Sequence, residues 1–140
     1  MPDFTTASDG TPLAFERLGA GPAIVMIHGF GSSRVQNWKS TGWFSALTQA
    51  GFSIVAMDCR GHGESTKPHD PAMYTRAKMA GDVIALLDHL GVERADLLGY
   101  SMGARLSLAA ALEHPKRFPL MMLGGIGGKF FDPRPPGHPL

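Results

Sequence analysis

The sequence predicts an α/β protein whose mostly parallel sheet is flanked by helices. Two kinds of apolar segment and their alternation predict this fold class. Short continuous apolar runs, most of them β-branched, alternate with longer segments whose apolar residues repeat at helical spacing. Strand–helix–strand alternation produces parallel sheets, because right-handed crossovers bring successive strands back in the same direction. The composition agrees with a packed domain, since 44% of the 140 residues are hydrophobic and 18% are charged.

The first predicted element is a β-hairpin. Phe4–Thr6 and Leu13–Arg17 flank an Asp9-Gly10 pair, which is typical of a tight turn between two strands. Later strands are predicted at short apolar runs bounded by turn residues. These runs are Ala23–Ile27, Ser53–Met57, Ala95–Leu98 and Leu120–Leu123. The last of them lacks β-branched residues, so its prediction depends on hydrophobicity alone.

Three helices are predicted between these strands. One covers about residues 37–50, a second covers Thr75–Leu90, and a third covers Met102–Glu113. The second places an apolar stripe on one face, and Gly91 follows as the expected stop signal. The stripe consists of Met79, Val83, Leu86, Leu87 and Leu90. His114-Pro115 closes the third helix, because proline cannot continue the hydrogen-bond ladder.

Charge and cysteine content argue against several function classes. A net charge of +1 favours neither a nucleic-acid partner nor an anionic membrane, which both attract basic surfaces. No apolar run approaches the ~18 residues of a membrane span, and residues 1–10 lack the pattern of a secretory signal. Cys59 is the only cysteine, so no intrachain disulfide forms. We therefore expect a cytoplasmic protein.

The sequence contains no complete cofactor-binding or metal-binding motif. Residues 124–129 resemble a phosphate-binding loop only superficially, because Leu123 stands where a glycine is required and Phe130 replaces the magnesium-binding Ser or Thr. No G-x-G-x-x-G pattern follows the first strand, which argues against a dinucleotide site. The histidines lack metal-ligand spacing. We expect no cofactor and no metal.

The sharpest functional signal is the G-x-S-x-G segment Gly99-Tyr100-Ser101-Met102-Gly103, between a predicted strand and a predicted helix. A serine hydroxyl is a useful nucleophile only when it projects free of the backbone toward a base. A very tight turn achieves this, and the two glycines remove side chains that would collide across it. The competing interpretation is that Ser101 merely caps the following helix. The strand before it and the helix after it favour the nucleophile.

Two further loops follow predicted strands. His28-Gly29-Phe30-Gly31 permits a sharp turn near Ser101, and a tetrahedral oxyanion needs two amide donors, for which we predict the N–H groups of Phe30 and Met102. We interpret His28 as a structural residue rather than a general base. The aromatic residues Phe30, Trp38 and Tyr100 suggest an apolar pocket.

The loop at residues 58–65, DCRGHGES, contains an acid, a thiol and an imidazole, which permits a catalytic interpretation. We favour a structural turn, because Gly61 and Gly63 indicate turn geometry. In this interpretation Asp58 and Arg60 tie down neighbouring loops.

Together these three motifs resemble the α/β-hydrolase fold superfamily, and most closely its serine esterase, lactonase and perhydrolase branch. The resemblance covers residues from about 3 to 126. It implies that Ser101 attacks a small carboxylic ester or lactone through an acyl-serine intermediate, without a cofactor, while Phe30 and Met102 form the oxyanion hole. The nucleophile elbow would comprise Gly99, Tyr100 and Gly103 around the serine. Serine at this position argues against haloalkane dehalogenases and epoxide hydrolases, which carry aspartate there.

The resemblance also implies a catalytic acid after a sixth or seventh strand and a histidine after an eighth. We therefore expect a truncated, N-terminal half of a hydrolase that lacks the cap and last strands, with a partial domain at residues 1–126 and a proline-rich tail at 127–140. Asp132 and His138 follow Ser101 in the required order, but no predicted strand holds them. His114 ends the helix that begins after Ser101, so it would lie roughly 18 Å from the serine, too far to act as its base.

Two functions remain open at this point. The chain is either a serine hydrolase or a non-catalytic truncated product, such as a binding module that retains the hydrolase sheet. In both cases Leu120–Leu123 would form an exposed apolar edge, and such edges pair with other chains. We therefore expect self-association through this strand.

Overall fold

A computed structural model of the chain describes residues 1–131 and 133. In this part of the chain a twisted sheet of six strands carries helices on both faces. The strands are β1 (Asp3–Thr6), β2 (Pro12–Leu18), β3 (Ala23–Ile27), β4 (Ser53–Met57), β5 (Asp96–Tyr100) and β6 (Met121–Gly124). The α-helices are α1 (Trp43–Gln49), α2 (Arg76–Leu90) and α3 (Met102–Glu113). Shorter helical turns cover Val35–Lys39, Pro71–Tyr74 and Gly128–Phe131.

The strand order β1-β2-β4-β3-β5-β6 decides which loops meet. The β1–β2 and β2–β4 pairs are antiparallel, whereas β4, β3, β5 and β6 run parallel to one another. Ile27 pairs with Met57 on one side and with Gly99 on the other, so the carboxyl ends of these three strands are level. The loops that follow β4, β3 and β5 therefore lie side by side along one edge of the sheet.

The parallel strands are apolar on both faces because each face packs against helices. On one face, Val25, Val55 and Leu97 join a core with apolar residues of α2 and α3. On the other face, alternate strand residues pack against α1 and the turn before it. These residues are Ile24, Met26, Ile54, Ala56 and Leu98, which contact Trp38 and Phe44.

The structure confirms the predicted α/β class and changes some element boundaries. The single helix predicted at about residues 37–50 is two elements, a π-helical turn and α1, separated at Gly42, whose φ of 89° belongs to the left-handed region. Thr75 precedes α2 as its N-cap and its Oγ1 accepts a hydrogen bond from the Lys78 N–H. Trp38 lies in the core, 3% exposed, rather than at a pocket.

Strand β6 lies at the edge of the sheet within residues 1–131. Met122 is 36% exposed and Leu120, just before the strand, is 54% exposed. Self-association through this edge stays a prediction. None of the helices within residues 1–131 combines the length and apolarity that crossing a membrane requires.

Candidate active site

The turn between β5 and α3 holds Ser101 in a strained backbone conformation. Its φ of 55° and ψ of −111° make it the only non-glycine residue with positive φ in the described part of the chain. The Ser101 N–H donates to the Gly124 carbonyl at 2.9 Å, and the Ser101 carbonyl accepts from Ala104 N–H at 3.0 Å. Its side chain makes no capping hydrogen bond to α3, so the N-cap interpretation does not hold. Strain of this kind is characteristic of functional turns.

The two elbow glycines are required by close approach rather than by their φ angles. A Cβ at Gly99 would lie 2.5 Å from the Ser107 Oγ and 2.6 Å from the Gly103 carbonyl carbon. A Cβ at Gly103 would overlap the Ile27 carbonyl oxygen and lie 2.7 Å from the His28 carbonyl oxygen. The absent side chains therefore allow α3 to begin directly against the end of β3.

The loop after β3 approaches Ser101 from the side of the sheet. A Cβ at Gly29 would lie 3.6 Å from the Ser101 Cβ, and Gly29 N–H donates to Asn37 Oδ1 at 2.9 Å. In the described residues, the backbone N–H groups of Phe30 and Met102 donate to no protein atom. Two backbone N–H groups without a protein acceptor in this part of the chain are therefore present in the turns after β3 and β5, and an oxyanion hole requires two such donors.

Tyr100 packs beside the serine rather than in the cleft. Its ring would meet a Cβ at Gly29 at 3.2 Å and a Cβ at Gly125 at 2.7 Å, so it lies between the loops after β3 and β6. Of the three aromatic residues predicted at an apolar pocket, only Phe30 lines the cleft beside Ser101 that is described below. Tyr100 and Trp38 do not line it.

Both ring nitrogens of His28 are committed to the backbone. Cys59 N–H donates to Nε2 at 2.9 Å, so the ring proton is on Nδ1, which donates to the Gly29 carbonyl at 2.7 Å. The side chain is fully buried, and this burial lowers the pKa of His28 to about 4. Both nitrogens are occupied, so His28 has the structural role expected from the sequence.

The buried imidazole of His28 predicts a loss of stability in mild acid. The unfolded chain binds a proton near pH 6.5 whereas the folded protein resists it down to about pH 4. The contribution is therefore fully present above pH 6.5 and is lost as the pH falls through this window. We expect the free energy of unfolding to drop by about 1.4 kcal/mol per pH unit near pH 5. Urea unfolding between pH 4.5 and 7.5 measures this slope; His28→Gln should flatten it, and an unchanged slope in that variant contradicts the assignment.

The loop after β4 is anchored by two buried ion pairs. Asp58 accepts hydrogen bonds from the Arg34 N–H at 2.8 Å, from the Arg34 guanidinium and from the Glu64 N–H at 2.8 Å. Gly63 is required beside this carboxylate, because a Cβ there would lie 2.6 Å from Asp58 Oδ1. The Asp58 carboxylate is thus occupied by hydrogen bonds within the protein and is not available to a substrate.

Arg60 forms the second anchor and is only 1% exposed. Its Nε and Nη2 each lie 2.7 Å from an oxygen of Asp82 on α2, and its Nη1 lies 2.8 Å from Asp9 and from the Met73 carbonyl. The hydrogen bonds to Asp82 raise the pKa of Arg60, and the Arg60 guanidinium holds the pKa of Asp9 well below its usual range. The expectation that Asp58 and Arg60 tie down neighbouring loops is therefore confirmed.

These loops enclose a cleft of about 1480 Å³ beside Ser101. One wall comes from Phe30 and His62, and the opposite wall comes from α2 and α3. The apolar lining residues of the second wall and of the turn before α2 are Tyr74, Ala77, Met79, Ala80, Met102 and Ala109. Tyr74 and Arg105 also line the cleft, and no sequence motif predicts either of them. The position of Arg105, four residues after Ser101, does indicate the same side of α3.

The described residues bring no histidine from after Ser101 to the cleft. His114 stands at the far end of α3, and it does not line the cleft. Asp132 and His138, which follow Ser101 in the required order, lie outside the described residues. Ser101, Phe30 and Met102 all line the cleft, and within residues 1–131 no histidine from after Ser101 joins them. Their roles as nucleophile and oxyanion donors stay predictions.

A mostly parallel sheet with a strained serine at the turn after its fifth strand defines an α/β protein of the hydrolase class. The chain belongs to the alpha/beta hydrolase fold family, whose model matches residues 22–138. An epoxide hydrolase from Caballeronia sordidicola is 37% identical over 116 residues, which cover 83% of this chain and 34% of that protein.

Two solved structures show the same fold. An esterase from Exiguobacterium antarcticum superposes with a TM-score of 0.79 at 29% identity, over 88% of this chain and 44% of the other. The epoxide hydrolase VrEH1 from Vigna radiata superposes with a TM-score of 0.86 at 26% identity, over 99% of this chain and 42% of the other. The chain spans less than half the length of each of these three proteins.

Proposed function

We propose that this chain carries the nucleophile and oxyanion hole of a serine hydrolase that acts on a small carboxylic ester or lactone. The observation that carries the proposal is Ser101, whose strained backbone presents a hydroxyl free of any protein hydrogen bond within the described residues. A hydroxyl held in this way is positioned for attack on a carbonyl carbon rather than for capping a helix. No cofactor is needed, and we place the protein in the cytoplasm.

The reaction follows from the groups around the serine. Ser101 Oγ bonds to the carbonyl carbon as the π electrons move to the carbonyl oxygen. The hydroxyl proton passes to a histidine, which the family resemblance implies after Ser101 in the chain and which then returns the proton to the leaving alcohol. The N–H groups of Phe30 and Met102 stabilise the oxyanion, and the positive end of α3 adds to this effect. Collapse expels the alcohol, which takes up a proton, and water then hydrolyses the acyl-serine to release the acid.

The chain is similar both to epoxide hydrolases and to an esterase, so similarity alone does not distinguish an epoxide substrate from an ester. The residue at the nucleophile elbow distinguishes them. The family resemblance implies aspartate at this position in epoxide hydrolases, whereas this chain has Ser101. A serine that attacks a carbonyl forms an acyl-enzyme, so we favour ester or lactone chemistry for this chain.

The second candidate is a non-catalytic binding module. It is favoured by the cleft itself, which among the described residues contains no histidine from after Ser101. In that case the cleft binds ligands without forming an acyl-serine.

A labelling experiment separates these two functions. We expect a fluorophosphonate probe to modify the folded chain at Ser101, and hydrolysis of p-nitrophenyl butyrate to exceed background. Ser101→Ala should reduce both signals at least about 100-fold. Ser45→Ala, on an exposed face of α1, is the matched control and should leave them unchanged. A folded wild-type chain that takes up no label overturns the hydrolase proposal and supports the binding module.

A further inference from the structure

His62 is an imidazole of the cleft that the proposed reaction does not use. It lies in the loop after β4, while Phe30 follows β3 and Ser101 follows β5. The His62 ring lies 5.0 Å from the ring of His28, which directly follows β3, so the His62 side chain lies near the end of the middle strand of the order β4-β3-β5. His62 and Ser101 line the same cleft, so a substrate whose carbonyl lies at Ser101 can also contact the imidazole.

The hydrogen bonding of His62 leaves one nitrogen for a ligand. Its Nδ1 lies 3.0 Å from the Arg60 carbonyl, which can only accept, so the neutral ring carries its proton on Nδ1. Its Nε2 then has a lone pair, which no atom of the described residues uses. Trp38 Nε1 is the only buried side-chain nitrogen or oxygen without a partner in this part of the chain, so the unpaired His62 Nε2 is accessible to solvent.

The His62 ring has contacts on two sides. It meets the Phe30 ring in an edge-to-face arrangement at a centroid distance of 5.7 Å, and the His28 ring lies 5.0 Å away. Arg60, whose carbonyl accepts from Nδ1, forms buried ion pairs with Asp82 and Asp9. A polar group on a loop anchored in this way is positioned for selective recognition.

We propose that His62 is a specificity-determining residue whose Nε2 accepts a hydrogen bond from a hydroxyl group of the substrate. This inference rests on the proposed function, because the hydroxyl is located relative to a carbonyl at Ser101. The lining contributed by α2, α3 and the turn before α2 includes the apolar Tyr74, Met79 and Ala80 and the charged Arg76, Arg105 and Glu113. The substrate class is an ester whose aliphatic part carries a hydroxyl group that reaches His62.

A pair of probe ligands tests this assignment without requiring turnover. Methyl 6-hydroxyhexanoate and methyl hexanoate differ by the hydroxyl alone. We expect the wild-type chain to bind the hydroxy ester about tenfold more tightly, the effect of one hydrogen bond. In nitrogen-15 spectra of histidine-labelled protein, only the hydroxy ester should shift the His62 Nε2 resonance.

Variants connect the preference to His62. His62→Phe retains a ring against Phe30 and should reduce the affinity ratio of the two esters to about one. His62→Gln retains an acceptor and should keep part of the ratio. His69→Gln, at an exposed position outside the cleft lining, should keep the full ratio. Circular dichroism confirms that each variant is folded.

The outcomes separate this inference from the hydrolase proposal. Equal affinities of the two esters for the wild-type chain, or a full ratio in folded His62→Phe, overturn the role of His62. Ser101→Ala should retain the ratio, because binding does not require the nucleophile. A chain that prefers the hydroxy ester but never labels at Ser101 therefore loses only its hydrolase assignment, and a chain that labels without the preference loses only the His62 assignment.

Discussion

Gly103→Ala is expected to lower the free energy of unfolding by about 3 kcal/mol or more. The added methyl group would overlap the Ile27 carbonyl oxygen and lie 2.6 Å from the Ile27 carbonyl carbon and 2.7 Å from the His28 carbonyl oxygen. These atoms belong to the backbone at the end of β3, which its neighbours β4 and β5 hold in register. The clash can be relieved only by moving α3 away from the sheet, and Ser101 would move with it.

The matched control for this substitution is Gly81→Ala. Gly81 is also a helical glycine, but a Cβ there meets no atom within 4 Å. Alanine is the better helix former, so this variant should be more stable than the wild type by about 0.5–1 kcal/mol. Urea denaturation followed by circular dichroism measures both variants. Equal stabilities for the two would show that close packing does not select glycine at the elbow.

The second large effect is expected for Arg60→Met. The substitution removes the guanidinium and leaves the carboxylate of Asp82, which is 3% exposed, without this partner, whereas Asp9 keeps its ion pair with Lys78 at 3.6 Å. Leaving a buried charge unpaired costs about 3–5 kcal/mol, which is more than the lost hydrogen bonds alone. The loop that carries His62 should also become mobile, because Arg60 joins it to α2 and to the turn between β1 and β2.

Lys39→Met provides the control for the loss of a cation. Lys39 Nζ lies 3.0 Å from Glu16 Oε1, but its side chain is 50% exposed, so this variant should change the stability by less than about 1 kcal/mol. Urea midpoints of the two variants at pH 7 provide the comparison. A loss in Arg60→Met that is no larger than the loss in Lys39→Met would contradict a structural role for the buried cluster. Replacing Asp82 together with Arg60 by apolar residues should recover part of the loss.

Local pattern was sufficient to predict most of the architecture. The alternation of β-branched runs with amphipathic segments predicted the α/β sheet, and α3 has the predicted limits of Met102 and Glu113. The glycine spacing around Ser101 predicted a tight turn, and the collision of a Gly99 Cβ with Gly103, four positions along, is a local property of the chain. The contact that requires glycine at position 103 is tertiary, because a Cβ there meets the end of β3. The helix predicted at about residues 37–50 was wrong as one element, since apolar spacing does not report the left-handed φ of Gly42.

The sequence by itself determined the strands, the helices and the serine at the strand-to-helix turn, because these depend on residues close together in the chain. Only the tertiary structure decided which groups are available for chemistry. Arg60 meets Asp9 across 51 residues, and Cys59 N–H reaches His28 across 31 residues. Such contacts depend on strand order and loop approach, which no local periodicity encodes. In these contacts the side chains of His28 and Asp58 are fully hydrogen-bonded within the protein, whereas His62 lines the cleft with one ring nitrogen unpaired within the described residues.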